Sequence, residues 1–120
     1  MDEKIINICG KERTLSLLRY ILEQYEKDVP IRQYDSDSKL QEDLRSLSGI
    51  LILDDDVVKK PILKFMDELH EKTPLLKTIL IVAPTKKDEV LSIIRASLVR
   101  GLIVKPFSGE LICKNVERLL

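Results

Sequence analysis

Short runs of consecutive apolar residues alternate along this chain with longer stretches in which apolar residues recur every three or four positions. The first pattern is that of strands covered on both faces, and the second that of amphipathic helices packed upon them. Ile5-Ile6-Asn7-Ile8-Cys9 is the first run; Gly10 ends it, and Leu15, Leu18, Ile21, Leu22 and Tyr25 follow at helical spacing. Pro30 breaks the chain before Ile31-Arg32-Gln33-Tyr34, a short polar stretch suited to a sheet edge. Ser36-Asp37-Ser38 offers N-cap oxygens to a second helix, with Leu40, Leu44 and Leu47 on one face and Ser48-Gly49 as its close. Ile50-Leu51-Ile52-Leu53 predicts a third strand that stops at three carboxylates, Asp54, Asp55 and Asp56. Val58, Ile62, Phe65, Met66 and Leu69 predict a third helix, with Pro61 in its first turn and Pro74 beyond its end. Ile79-Leu80-Ile81-Val82-Ala83 is the fourth strand, halted by Pro84. Thr85-Lys86-Lys87-Asp88 reads as a capping box opening a fourth helix, with Val90, Ile93, Ile94 and Leu98 turned inward. Leu102-Ile103-Val104 is the fifth strand, ended by Lys105-Pro106, and Ser108 caps a last helix carrying Leu111, Ile112, Val116 and Leu119.

Five strand–helix units without repeats or low-complexity tracts predict the α/β class: one open, doubly wound parallel sheet with right-handed crossovers, in a single domain over residues 1–120. A length of 120 residues suits one such core. Composition narrows the function classes. Hydrophobic residues make up 44% and charged ones 33%, too apolar for disorder and too charged to leave a bilayer-spanning stretch. Twenty basic against twenty acidic side chains give no net charge, so the general attraction to nucleic-acid phosphates has no source. Met1-Asp2-Glu3-Lys4 runs straight into Ile5-Ile6 without a signal-peptide pattern, and the expected location is the cytoplasm, with no membrane association. Cys9 and Cys113 share no metal-like or redox-like spacing and read as reduced thiols placed in the core.

In sheets of this kind ligands bind beyond the carboxyl ends of the strands, which here are Cys9-Gly10, Asp54-Asp55-Asp56, Ala83-Pro84 and Lys105-Pro106. With the apolar strand ending in Asp54, the segment Arg100-Gly101-Leu102-Ile103-Val104-Lys105-Pro106-Phe107 and the separations between Asp54, Ala83 and Lys105, the whole chain resembles the receiver domains of two-component response regulators. The resemblance implies a (βα)5 flavodoxin-like fold, strand order 2-1-3-4-5, and a place in phosphorelay signal transduction, with no enzymatic activity. It implies that Asp54 is the phosphoacceptor for a histidine kinase, that Lys105 contacts the phosphoryl oxygens and that the Lys105–Pro106 bond is cis. The chemistry is coherent, since a carboxylate attacking phosphorus needs neighbouring cations to offset the charge that builds up. The implied partners are signalling proteins, a kinase or an output target, bound on the face of helix four, strand five and helix five, from Lys86 to Leu120; a homodimer through that face is compatible.

The chain also departs from the family pattern. Two acidic residues after strand one normally hold Mg²⁺, and here Cys9 and Gly10 stand in their place, a soft thiol and no side chain at all. The remaining metal candidates are Asp54 itself, Asp56 and Glu12, and no cofactor beyond a weakly held Mg²⁺ is expected. The switch hydroxyl at the end of strand four is replaced by Ala83 and the switch aromatic on strand five by Leu102. These losses favour an atypical receiver, a pseudo-receiver acting by protein–protein contact; the alternatives are a functional receiver phosphorylated on Asp54 and, more remotely, a flavodoxin-type binder of a small cofactor. Against each sharp reading stands a plainer one. Asp54 and Lys105 could form a structural ion pair, Asp55 and Asp56 a solvated acidic loop, and Lys59-Lys60 and Lys86-Lys87 solvated faces. His70 reads as a surface residue, and Gly10-Lys11-Glu12-Arg13-Thr14 lacks the glycine spacing of a phosphate loop.

Overall fold

A computed structural model of the chain describes residues 4–25 and 28–120. Five parallel strands, β1 (Ile6–Cys9), β2 (Ile31–Tyr34), β3 (Ile50–Asp54), β4 (Lys77–Val82) and β5 (Gly101–Val104), form one sheet in the order β2-β1-β3-β4-β5. Helices α1 (Glu12–Tyr25) and α5 (Gly109–Leu119) cover one face, and α2 (Asp37–Glu42), α3 (Ile62–Lys72) and α4 (Lys87–Arg95) the other. The fold is thus the doubly wound, flavodoxin-like α/β arrangement.

The period-two alternation of a strand explains why the central runs are apolar throughout. Ile50 and Ile52 of β3 and Ile79 and Ile81 of β4 pack beneath α1 and α5 with Ile6 and Ile8. Their neighbours Leu51, Leu53, Leu80 and Val82 pack beneath α3 and α4 against Phe65, Met66 and Ile93. Cys113 joins the first core and Cys9 the second, so the two thiols lie on opposite sides of the sheet. β2 is the polar edge that its sequence suggests, with Arg32 and Gln33 exposed.

Local departures from the sequence reading have polar causes. The second helix does not run through Leu47. It stops at Glu42, and a 3₁₀ turn over Leu44–Ser46 follows, because the Asp43 carboxylate accepts from the Tyr34 hydroxyl (3.0 Å) and its carbonyl from the Ser46 hydroxyl (2.9 Å). Only Leu40 of its apolar face is fully buried. Ser36 is its cap, accepting from the Lys39 N–H, and Ser108 caps α5 in the same way. The capping box at Thr85 and Asp88 does not form. Lys86 occupies the cap position, its N–H bonded to the Ala83 carbonyl at 3.3 Å, so the chain enters α4 through a backbone turn. Val90 and Ile93 face inward from α4, whereas Ile94 is 49% exposed. At Gly49 φ is +80°, and a Cβ there would run into the Ile5 carbonyl oxygen, so glycine is required for the entry into β3.

Candidate functional site

Asp54 is the last residue of β3 and is fully buried, an expensive position for a carboxylate unless every oxygen is matched. Its Oδ1 accepts from the Asp56 backbone N–H at 3.0 Å, which bends the chain into the 3₁₀ turn Asp55–Val57. The same oxygen lies 3.0 Å from the Lys105 ammonium, and Oδ2 accepts from the Thr14 hydroxyl at 3.3 Å. Lys105 also donates to Asp56 Oδ2 at 2.7 Å and so bridges two carboxylates. Burial pulls the Lys105 ammonium toward losing its proton, and hydrogen bonds to Asp56 and Asp54 more than reverse this, raising its pKa. The hydrogen bond from Lys105 holds Asp56 below the usual carboxylate range. The Lys105–Pro106 peptide bond is cis, and Ser108 caps α5 two residues beyond it.

A second ion pair stands beside the first. The turn that exposes Asp56 folds Asp55 inward, to 2% exposure, where Lys86 lies 3.0 Å from its Oδ2. Asp55 Oδ1 meets no donor among the described residues. The Asp55 carboxylate, 3.0 Å away, raises the pKa of Lys86. The plain reading of Asp55 as a solvated loop and of Lys86 as a solvated face is therefore corrected: the two are partners. Thr14 is the other participant that strand-end reasoning passed over, and its place in the first turn of α1, behind the end of β1, was the available signal.

The two residues at the end of β1, Cys9 and Gly10, bring no carboxylate to the crevice. Cys9 is fully buried with its Sγ 3.7 Å from the Ser36 carbonyl, and burial together with Asp37, Asp54 and Asp35 pushes its thiol up to about 12. A thiol so placed holds its proton at neutral pH. At Gly10 a Cβ would come within 3.3 Å of Thr14 Cγ2 and 3.4 Å of Asp54 Cβ, so Thr14 fills the room that a longer side chain would need. Ala83 lies just past β4 and Leu102 on β5, both half-buried, and Leu102 packs into the core beneath α3 and α4. Glu12 opens α1 and is exposed.

Asp54, Asp55 and Asp56 bring ligand oxygens within 4.8 Å of one another, an acidic pocket of the kind that holds a hard divalent cation. Their charge is already matched, however. Lys105 and Lys86 leave three carboxylates with a formal excess of one negative charge, and Lys105 sits between two of the three. The end of β1 adds a thiol and a glycine, neither of which is a hard anionic ligand.

No protein-family model matches the sequence, and no curated protein matches it significantly. Solved structures do share the fold. An uncharacterized protein from Neptuniibacter caesariensis superposes with a TM-score of 0.84 at 16% identity, over 98% of this chain and 87% of that one. A response regulator receiver domain protein from Clostridium thermocellum gives 0.81 at 15% identity, over 97% and 93%. A structure described as adenylate cyclase from Rhodopirellula baltica gives 0.80 at 11% identity, over 98% and 87%. Receiver domains predominate among such structures, and the architecture of this chain is that of response regulator receiver domains. At these identities the likeness concerns the fold. No helix of the described residues is long and apolar enough to cross a membrane.

Proposed function

We propose that residues 1–120 form one receiver-like domain of phosphorelay signalling, an atypical, non-enzymatic module in the cytoplasm with impaired Mg²⁺-dependent phosphorylation. The observation that carries this reading is the end of β1, where the buried Cys9 thiol and Gly10 stand in place of the carboxylates with which a phosphorylating receiver holds its metal ion. Ala83 and Leu102 support it from the other side, because neither can make the hydrogen bond or the aromatic rotamer change by which a receiver reports phosphorylation.

The module then acts by contact with a signalling protein, a kinase or an output target. The surface for it is the α4-β5-α5 face, where Leu91, Ile94, Val104 and Leu111 are between 39% and 49% exposed. Such a group of half-exposed aliphatic side chains suits a partner or a second copy better than it suits water. Addition of Mg²⁺ and then beryllofluoride, followed by backbone amide NMR, tests the reading. It expects no saturable shifts around Asp54, Ala83 and Lys105, and no mass gain with a small phosphodonor.

The retained pair Asp54 and Lys105, with the acidic cluster, favours one rival: a working receiver phosphorylated on Asp54. Under it Asp56 or Glu12 completes the metal site, the same titration gives shifts that spread to α4 and β5, and the mass gain disappears in Asp54→Asn.

A further inference from the structure

A groove of about 860 Å³ opens at the amino-terminal end of the sheet, the end away from Asp54. It lies between the chain entering β1, β3 and β4, the 3₁₀ turn after α2, and the last residues of α3 and α5. Leucines 44, 47, 76, 119 and 120 give it an apolar surface, and Leu75, 90% exposed, stands at it on the loop between α3 and β4. Among the described residues its charged side chains are of one sign: Lys4, Arg45, Lys72 and Lys77.

Part of this charge has a local explanation. The Lys77 ammonium donates to the Leu119 carbonyl at 3.0 Å, and Lys72 lies in the last turn of α3, positions where a cation offsets the negative end of a helix. Lys4 precedes β1 and has no such role. Lys4, Arg45 and Lys72 are all exposed and make no ion pair among the described residues. An apolar surface bordered by unpaired, exposed cations from three separate segments is complementary to several carboxylates set beside aliphatic side chains, not to one anionic headgroup held by buried donors.

We propose that this groove docks an acidic amphipathic segment of a partner protein, with apolar side chains against the leucines and carboxylates opposite Lys4, Arg45 and Lys72. The site is remote from Asp54, meets the α4-β5-α5 face at the end of α5, where Leu119 and Leu120 line it, and does not depend on the reading given above for either. A module with both surfaces would join two proteins.

A labelled helical peptide of about 18 residues, with leucines on one face and glutamates flanking them, is the probe. Fluorescence anisotropy with the full chain at low salt is expected to show saturable binding that falls at least several-fold in Arg45→Glu/Lys72→Glu and in Leu75→Asp. Amide shifts are expected at Lys4, Ser48, Gly49, Leu75 and Leu76. A peptide with lysines in place of the glutamates should not bind. The proposal is overturned if the lysine peptide binds equally, if the shifts fall at the Asp54 end, or if no binding occurs. It is equally overturned if dodecanoate or vesicles containing phosphatidylglycerol shift these amides and the glutamate peptide does not, which would make the groove a lipid site. Arg45, Lys72 and Leu75 are exposed, so unchanged thermal unfolding of the variants separates lost docking from lost folding.

Discussion

At the carboxyl end of the sheet Asp54, Asp55 and Asp56 are paired with Lys105 and Lys86, whereas at the amino end Lys4, Arg45 and Lys72 border a groove lined by no Asp or Glu side chain among the described residues. The difference follows from burial. Asp54 and Asp55 are taken out of water by the strand end and the 3₁₀ turn that carry them, and a buried carboxylate must find a cation. Because the cations arrive from the β4–α4 and β5–α5 connections, the pairing ties both loops to the end of β3. The cations at the amino end stay in water, where leaving them unpaired costs little. Folding therefore dictates the charge arrangement at one end and leaves it open to binding at the other.

Lys86 is the point at which the carboxyl end is most sensitive to loss of a cation. Lys86→Met leaves Asp55 buried and uncompensated, and the expected loss is about 2–3 kcal/mol, below that of a fully buried pair because water reaches the lysine. Urea unfolding measures it. Asp55→Leu/Lys86→Met should recover most of the loss, as an apolar pair of similar volume commonly does; no recovery would mean that Lys86 contributes by some route other than its charge. A smaller effect, about 1–2 kcal/mol, is expected for Lys105→Met, since Asp54 keeps the Thr14 hydroxyl and the Asp56 N–H. That variant also sharpens the functional reading. Removing the ammonium that bridges Asp54 and Asp56 should strengthen Mg²⁺ binding in an amide-shift titration, and unchanged affinity would show that Lys105 was not the competitor.

What could be read from the sequence divides along the same line. The apolar runs marked β1, β3 and β4 because both faces of those strands are covered, and Asp54 and Lys105 stood out because each ends a strand. The Asp55–Lys86 pair had no such signal. Which of three consecutive aspartates turns inward depends on the 3₁₀ turn that the Asp56 N–H makes with Asp54, and Lys86 resembled part of a helix cap. Ile94 fits the same spacing as Val90 and Ile93, but one short helix packs only part of that stripe, so its outward position emerged only from the packing. The groove at the amino end was invisible for a related reason: its cations lie far apart in the chain and are brought together by the strand order.

The pH dependence of stability should carry the same signature on a smaller scale. The pKa values of Lys105 and Lys86 are raised, so their contribution is complete below a lysine's ordinary 10.5 and is lost as pH rises through the raised values. Asp56 is lowered, so its contribution is complete above an ordinary carboxylate's 3.8 and is lost as pH falls through the lowered value. The gap in urea midpoint between the wild type and Lys105→Met is therefore expected to hold constant between these limits and to narrow beyond each. A gap that varied around neutrality would assign the effect to another group.

The smallest effect is expected at the amino end, and it is the most discriminating. If Arg45 and Lys72 take no part in holding the fold, Arg45→Glu and Lys72→Glu should each shift stability by no more than about 0.5 kcal/mol, and their effects should add, because no shared partner couples them. Added salt should change these variants and the wild type alike, since exposed charges are screened in both. A loss as large as that of Lys86→Met would mean that these cations hold the helix ends together, as Lys77 does at Leu119, and the groove would then be a seam of the fold and not a surface kept for a partner.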